Sequence, residues 1–141
     1  MVAGEPPVRV VVDTNVVAYY LLGTTGFEAE ASAFWRRVRE PMAPASWQPE
    51  IANVLWMAAR HGALSAAEAR SRLRLAGRLG IRAVPVTSLW EGALARALAT
   101  GVAAYDTLFV ELAVRRRLPL ATFDRQLHRA FANVAARPQD L

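Results

Sequence analysis

The chain has 141 residues, no cysteine and a formal net charge of +5, and all 17 of its basic residues are Arg. This length indicates a single domain with a core of its own, and the lack of cysteine excludes a disulfide framework and a thiolate metal site. Guanidinium groups suit phosphate and carboxylate, so the charge favours nucleic acid or an acidic protein as a partner, although biased codon usage gives the same composition.

No targeting or membrane-spanning segment is predicted. Residues 1–7 contain no basic stretch and are expected to form a loose leader that ends at Pro6 and Pro7. No apolar run approaches the roughly 20 residues needed to cross a bilayer. We therefore expect one domain over residues 8–134, a C-terminal tail over residues 135–141, and a cytoplasmic location.

The first predicted element is a buried strand that ends in a carboxylate. Residues 8–15 read Val-Arg-Val-Val-Val-Asp-Thr-Asn, and a nearly continuous β-branched run is typical of a strand covered on both faces of a parallel sheet. Ligands of open α/β sheets bind outside the carboxyl ends of the strands, which makes Asp13 a candidate for chemistry. The alternative is that Asp13 only caps the following helix.

Helices and strands then alternate along the chain. We predict helices over 16–22, 27–39, 47–60, 66–79, 89–99, 104–117 and 124–131, and extended segments over 42–46, 81–86, 118–122 and at Val134. Ser65–Glu68 and Ser88–Glu91 both match the capping box that opens a helix. This alternation predicts the α/β class, with a largely parallel sheet covered by helices on both faces.

Three more acids occupy positions like that of Asp13. Asp124 follows a predicted strand and opens a helix, and Glu50 lies in the first turn of another, where either acid also suits the helix end. Asp106 borders the apolar stripe of its helix, and a carboxylate among apolar neighbours is costly unless it is paired or metal-bound. Glu111 falls on the outer side of that helix and is expected to be exposed.

The four acidic blocks together resemble a PIN domain. They read Val-Val-Asp-Thr-Asn, Pro-Glu-Ile-Ala-Asn-Val-Leu, Tyr-Asp-Thr-Leu-Phe-Val-Glu-Leu-Ala and Leu-Ala-Thr-Phe-Asp, and they occur in the family's order from Val8 to about Val134. The chain is most similar to the small VapC-type toxins of bacterial toxin–antitoxin pairs. Each block alone is weak evidence for the family, but four blocks in the family's order are strong evidence for it.

The resemblance implies an α/β/α sandwich and a metal-dependent ribonuclease. Its catalytic and metal-binding acids correspond here to Asp13, Glu50, Asp106 and Asp124. Asn15 and Thr122 match polar positions that support the acids, and we add Asn53, which shares the helix face of Glu50. Val102 and Ala103 depart from the family, since many relatives carry Ser or Thr shortly before the Tyr-Asp pair.

The chemistry of the four acids supports a metal site independently of the resemblance. Two carboxylates about 4 Å apart repel by roughly 4 kcal/mol at an effective dielectric near 20, so four converging anions require a cation. Oxygen donors without Cys or His favour Mg²⁺ or Mn²⁺ over Zn²⁺. Such a site suits hydrolysis of a phosphodiester, and the Arg-rich surface would attract the RNA substrate.

Other side chains receive structural interpretations. His61 and His128 are expected at the surface, and the four Trp residues are expected to serve core or dimer packing rather than base stacking. Arg70, Arg72, Arg74, Arg78 and Arg82 do not share one helix face, so a solvated helix is expected there. Apolar residues on the helices before Gly62 and Gly80 suit a homodimer or an antitoxin segment, which the resemblance also implies.

Two other phosphotransfer families share the Asp-Thr-Asn signature in part. Haloacid-dehalogenase phosphatases need a second Asp where Asn15 stands, and both they and receiver domains need a lysine, which this chain lacks. The remaining alternative is a PIN fold without catalysis that serves as a binding module. The presence of all four acids argues against it.

Overall fold

The computed structural model describes residues 8–141, in which five short strands alternate with seven α-helices. The strands are β1 (Val8–Val12), β2 (Val38–Pro44), β3 (Arg82–Val84), β4 (Leu120–Ala121) and β5 (Ala135–Ala136). The helices are α1 (Thr14–Leu22), α2 (Glu28–Arg37), α3 (Trp47–Arg60), α4 (Ala66–Gly77), α5 (Trp90–Thr100), α6 (Ala104–Arg116) and α7 (Arg125–Ala130). Short 3₁₀ turns lie at Val86–Ser88 and Pro138–Asp140. The predicted leader lies outside the described residues.

The strands form one parallel sheet in the order β3-β2-β1-β4-β5. β1 is central, and Val11 pairs with Met42 on one side and with Leu120 on the other. The chain builds β2 and β3 on one side of β1 and then returns to build β4 and β5 on the other. The strand order therefore reverses beside β1, and in such sheets the ligand crevice lies at the carboxyl ends of the strands at this point.

The central strand is buried on both faces of the sheet. Val10 and Val12 point to one face and Val11 to the other, since side chains alternate along a strand, and each is at most 1% exposed. Helix residues such as Phe34, Ile51 and Phe109 complete the core. The predicted α/β/α arrangement around a parallel sheet is confirmed.

The segment after α2 differs from its prediction. The helical pattern over 27–39 ends early, because Val38 begins β2 and pairs with Val8. β2 is therefore seven residues long instead of the short extended piece predicted at 42–46. Val38 fits the apolar stripe of the helix equally well, and its pairing with a strand distant in sequence decides the outcome.

One capping box forms and the other does not. The Ser65 hydroxyl accepts a hydrogen bond from the Glu68 amide at 3.0 Å, and the Glu68 carboxylate accepts one from the Ser65 amide at 2.9 Å. Ser88 instead lies in a 3₁₀ turn and donates its hydroxyl to the Pro85 carbonyl at 2.7 Å. Its hydroxyl thus bonds to the preceding turn, and α5 begins at Trp90 without a side-chain cap.

The expectation that Glu111 is exposed is wrong. Its carboxylate is buried between α5 and α6, where Arg96 Nε and Arg115 Nε each lie 3.2 Å from one of its oxygens. Gly92 on α5 leaves room for it, since a Cβ there would clash with Glu111 Oε1. This partnership crosses two helices and leaves no trace in the periodicity of α6.

The histidine and tryptophan predictions are borne out only in part. His61 is exposed, whereas His128 is half-buried and its Nε2 lies 2.7 Å from the Thr122 carbonyl. Trp47 is buried and Trp35 partly so. Trp56 and Trp90 are more than half exposed, so packing within this chain does not account for them.

The C-terminal segment joins the fold. β5 pairs with β4, and the Arg137 guanidinium binds the Glu30 carboxylate on α2. Residues 135–141, which were expected to form a C-terminal tail, therefore supply the last strand and a contact to α2. Within residues 8–141, no single helix is long and apolar enough to cross a membrane, and α5 with α6 reach that length only as a pair bent by 116°.

Candidate active site

Asp13 lies at the carboxyl end of the central strand and caps α1. Its Oδ1 accepts the Thr14 amide at 2.7 Å, which is the capping bond, and its Oδ2 accepts the Thr122 hydroxyl at 2.8 Å. The side chain is only 6% exposed. The capping interpretation and the interpretation as a buried acid therefore both describe this residue.

Thr122 and Asn15 tie the ends of β1 and β4 together. The fully buried Thr122 hydroxyl accepts from Asn15 Nδ2 at 3.2 Å and from the Asp124 amide at 3.0 Å. Asn15 Oδ1 accepts the Phe123 amide at 3.2 Å, and Asn15 Nδ2 lies 3.4 Å from Asp13 Oδ2. These bonds hold the Asp13 carboxylate in place and lock the turn that carries Asp124.

Asp124 caps the short helix α7. Its Oδ1 accepts the amides of Gln126 at 2.7 Å and Leu127 at 3.3 Å. Within residues 8–141, its Oδ2 accepts no hydrogen bond. One oxygen of this half-buried carboxylate therefore remains available to a ligand.

Glu50 reaches the site from the first turn of α3. Its Oε2 accepts the Thr14 hydroxyl at 2.6 Å, so Thr14 links α1 to α3 beside Asp13. Sequence reasoning missed Thr14 as a site residue, although its place between Asp13 and Asn15 was a signal. Asn53 is exposed and makes no hydrogen bond to the acids within the described residues, so its predicted supporting role stays a prediction.

Asp106 lies in the first turn of α6 and is half-buried. Ala103 caps this helix without a side-chain hydrogen bond, in keeping with the departure noted at this position. Burial is the main cause of the raised pKa values of Asp13, Glu50 and Asp106. The charge of Asp106 adds to the rise at Asp13 and Glu50, and the charge of Asp124 adds to the rise at Asp106. Asp106 therefore lies within electrostatic reach of all three.

The pKa values of three of these acids are raised. Burial raises the pKa of Asp13 from 3.8 to about 7; the Thr122 hydrogen bond opposes the rise, and the charges of Asp106 and Glu50 add to it. Burial also raises the pKa of Glu50 and of Asp106. The ion pairs of residues 8–141 involve Glu30, Glu40 and Glu111 and none of these four acids, so no arginine offsets their negative charge.

The donor set fits a hard divalent cation. The acids offer carboxylate oxygens only, and the nearby His128 ring is engaged by the Thr122 carbonyl. Oxygen-only sites of this kind suit Mg²⁺ or Mn²⁺, and a cation would favour the charged form that burial disfavours. In residues 8–141, no three acidic or histidine side chains are already set at metal-binding geometry, so binding requires their side chains to draw together.

Residues 10–133 match the sequence model of the PIN domain family. The chain belongs to the PIN domain family. In fold, this PIN domain is similar to a chain of a toxin–antitoxin complex from Klebsiella pneumoniae, with a TM-score of 0.63 and 17% identity over 92% of this chain and 97% of that chain. No curated protein matches it in sequence.

A second solved structure is similar to this PIN domain. It is a chain of VapBC2 from Rickettsia felis bound to a DNA fragment from their promoter, with a TM-score of 0.62 and 10% identity over 90% of this chain and 96% of that chain. At such identities the likeness concerns the fold alone. The match over residues 10–133 confirms the family expected from the four acidic blocks, while the roles of the individual residues remain predictions.

Proposed function

We propose that this PIN domain is an endoribonuclease that depends on Mg²⁺ or Mn²⁺. The observation that supports the proposal is that Asp13, Glu50 and Asp106 have raised pKa values beside the reversal of strand order and, like Asp124, form no ion pair within residues 8–141. Burying uncompensated anions is costly. A protein that keeps such a cluster at the ligand crevice of its sheet has a use for a bound cation.

The acids and the polar side chains beside them have different roles in this proposal. Asp13, Glu50, Asp106 and Asp124 would hold the cation. Thr122 and Asn15 orient the Asp13 carboxylate, and Thr14 orients that of Glu50. When bound, the cation supplies an activated water and neutralises charge on the phosphodiester. The ends of β1 and β4 position Asp13 and Asp124, and phosphoryl transfer depends mainly on such positioning.

We further propose that the protein is the toxin of a VapBC-type pair in the cytoplasm, with an antitoxin as partner and a homodimer as its assembly. Support comes from the complexes that share its fold and from two apolar surfaces. One is a groove of about 250 Å³ between α3 and α4, bordered by Trp56 and Leu73. The other lies on α5, where Trp90, Leu94 and Leu98 are each more than half exposed.

Light scattering of the purified protein tests the homodimer, with Leu94→Glu and Leu98→Glu as the variants. We expect a dimer that these changes convert to monomer. Co-purification with the product of any small reading frame immediately upstream tests the antitoxin. A monomeric parent protein contradicts the proposed homodimer. The proposed antitoxin partner is contradicted if no small reading frame lies upstream, or if the product of that frame does not bind this protein.

Cleavage of RNA by the parent and by Asp106→Asn tests the nuclease. We expect Mn²⁺- or Mg²⁺-dependent cleavage by the parent and a loss of at least about 100-fold in the variant, because a ligand that holds the cation is removed. Glu91→Gln is the matched control, since Glu91 is an exposed acid in the first turn of α5. Undiminished cleavage by Asp106→Asn, or cleavage in excess chelator, contradicts the nuclease, and RNA binding without cleavage favours the binding module.

A further inference from the structure

A charged cavity of about 250 Å³ lies at the edge of the sheet opposite to the acids. Its wall includes Arg9 of β1, Arg39 and Glu40 of β2, and Arg82 at the start of β3, and Leu118 before β4 also lines it. All of these residues precede or begin a strand. Because the strands are parallel, the cavity lies at their amino ends, whereas Asp13 and Asp124 follow their carboxyl ends.

Three of the charged side chains lie on one face of the sheet, namely Arg9, Glu40 and Arg82. Arg9 pairs directly with Glu40, and Arg82 pairs with Met42, two residues beyond Glu40. Residues in register, or two apart on one strand, point to the same face. Arg9, Glu40 and Arg82 therefore point to the same face. Arg39, one residue before Glu40 at the register shift between β1 and β2, also lines the cavity.

The cavity retains unsatisfied positive charge. Arg9 Nε lies 2.8 Å from Glu40 Oε2, but both side chains are about 60% exposed, so the pair contributes little. Arg39 Nη1 donates only to nearby carbonyls at 3.3 Å. The Arg82 side chain makes neither a hydrogen bond nor an ion pair to any part of the chain that the structure describes. Planar guanidinium donors of this kind match the oxygens of phosphate.

Further arginines adjoin the cavity wall. Arg116 and Arg117 directly precede Leu118, and Arg78 lies two residues before Gly80, another lining residue. All three are exposed, and consecutive Cα atoms are only about 3.8 Å apart. The basic surface therefore extends beyond the cavity, which favours a chain of phosphates over a small phosphate ligand.

We propose that this amino-edge cavity binds backbone phosphates of an RNA strand at a distance from the acidic site. The inference rests on the nuclease function proposed above and narrows its substrate class. Arg9 and Asp13 are four residue steps apart along the strand, roughly 13 Å, and the two sites lie at opposite edges. The substrate is then an RNA long enough to pass around the sheet, and a dinucleotide cannot engage both sites.

Binding of a labelled single-stranded RNA to the full chain in chelator tests the cavity without cleavage. The variant is Arg39→Ala with Arg82→Ala, and the control with the same loss of charge is Arg60→Ala with Arg70→Ala, on α3 and α4. We expect the cavity variant to bind about tenfold more weakly and the slope of log K against log salt to fall by about 1.4, or about 0.7 for each lost phosphate contact. The control is expected to change far less.

Glu40→Gln provides a gain of affinity that misfolding cannot mimic. It removes the one carboxylate among the described residues that line the cavity and frees Arg9, so RNA binding is expected to tighten severalfold. Equal weakening by both double variants, or no effect of either, overturns the proposal. The proposal is also overturned if the cavity variant no longer binds inorganic phosphate but binds RNA as tightly as the parent. A parent protein that binds no RNA overturns the nuclease function as well. If the parent binds RNA and the cavity variant binds it equally well, only the cavity proposal is refuted.

Discussion

At the scale of the residue, Asp13 is both a helix cap and a buried acid with a raised pKa, two properties that are usually found in different residues. A capping carboxylate is ordinarily hydrated and accepts backbone amides, which favours its charged form. Asp13 makes the capping bond to Thr14 and yet is buried next to Asp106 and Glu50, so its pKa is raised to about 7. The cap fixes the carboxylate, and the burial leaves its charge to be satisfied by a ligand.

The metal-free protein should lose stability as the pH rises from about 4 to about 7. The folded state holds a proton on Asp13 that the unfolded chain releases near pH 3.8, so the contribution of this group is complete below that pH and is lost as the pH passes the folded pKa. At 1.36 kcal/mol per pH unit, the loss is about 4 kcal/mol. Urea unfolding in chelator across this range measures it.

Asp13→Asn is the test of that assignment, because it keeps the shape of the side chain and removes the titration. The variant should show a flatter dependence of unfolding free energy on pH, with the remaining slope due to Glu50 and Asp106, whose pKa values are also raised. Glu91→Gln should retain the parent's slope. An unchanged slope in Asp13→Asn would assign the raised pKa to another group.

At the scale of the element, Gly92 sets how closely α5 approaches α6. A Cβ at this position meets the Glu111 carboxylate, which Arg96 and Arg115 hold from two sides. Gly92→Ala should therefore destabilise the protein by about 1–3 kcal/mol, since the methyl group can fit only if these ion pairs shift. Denaturant unfolding of the variant gives the value.

Gly77→Ala is the matched substitution for comparison. Gly77 ends α4 and a Cβ there meets nothing within 4 Å, so the change should be neutral or stabilise by up to about 1 kcal/mol. If Gly92→Ala were equally harmless, the packing of Glu111 against α5 would carry no strain. Combining Gly92→Ala with Glu111→Ala should abolish the added cost of the methyl group.

The elements show which structural information is local. α3 has the predicted bounds because its apolar spacing and turn signals lie within the segment itself. The end of α2, the failed cap at Ser88 and the burial of Glu111 depend on partners from other elements. The same holds for the site: the four acids could be named from their blocks, but the bond between Thr14 and Glu50 exists only once α1 and α3 are packed.

At the scale of the whole molecule, charge is separated along the strands. The acids lie at the carboxyl edge of the sheet, and arginines that include Arg9, Arg39 and Arg82 lie at the amino edge. The net charge of +5 is thus compatible with an acidic centre. Such a distribution lets the basic surface attract a polyanion while the anionic centre remains available to a cation.

The central claim is that the four acids converge on one divalent cation. An anomalous difference map from crystals of the parent protein soaked in Mn²⁺ tests it most directly. The account predicts a peak within about 2.0–2.6 Å of carboxylate oxygens from Asp13 and Asp106, with Glu50 and Asp124 in direct or water-bridged contact. No peak among these residues at saturating Mn²⁺, or a peak held by other side chains alone, would contradict it.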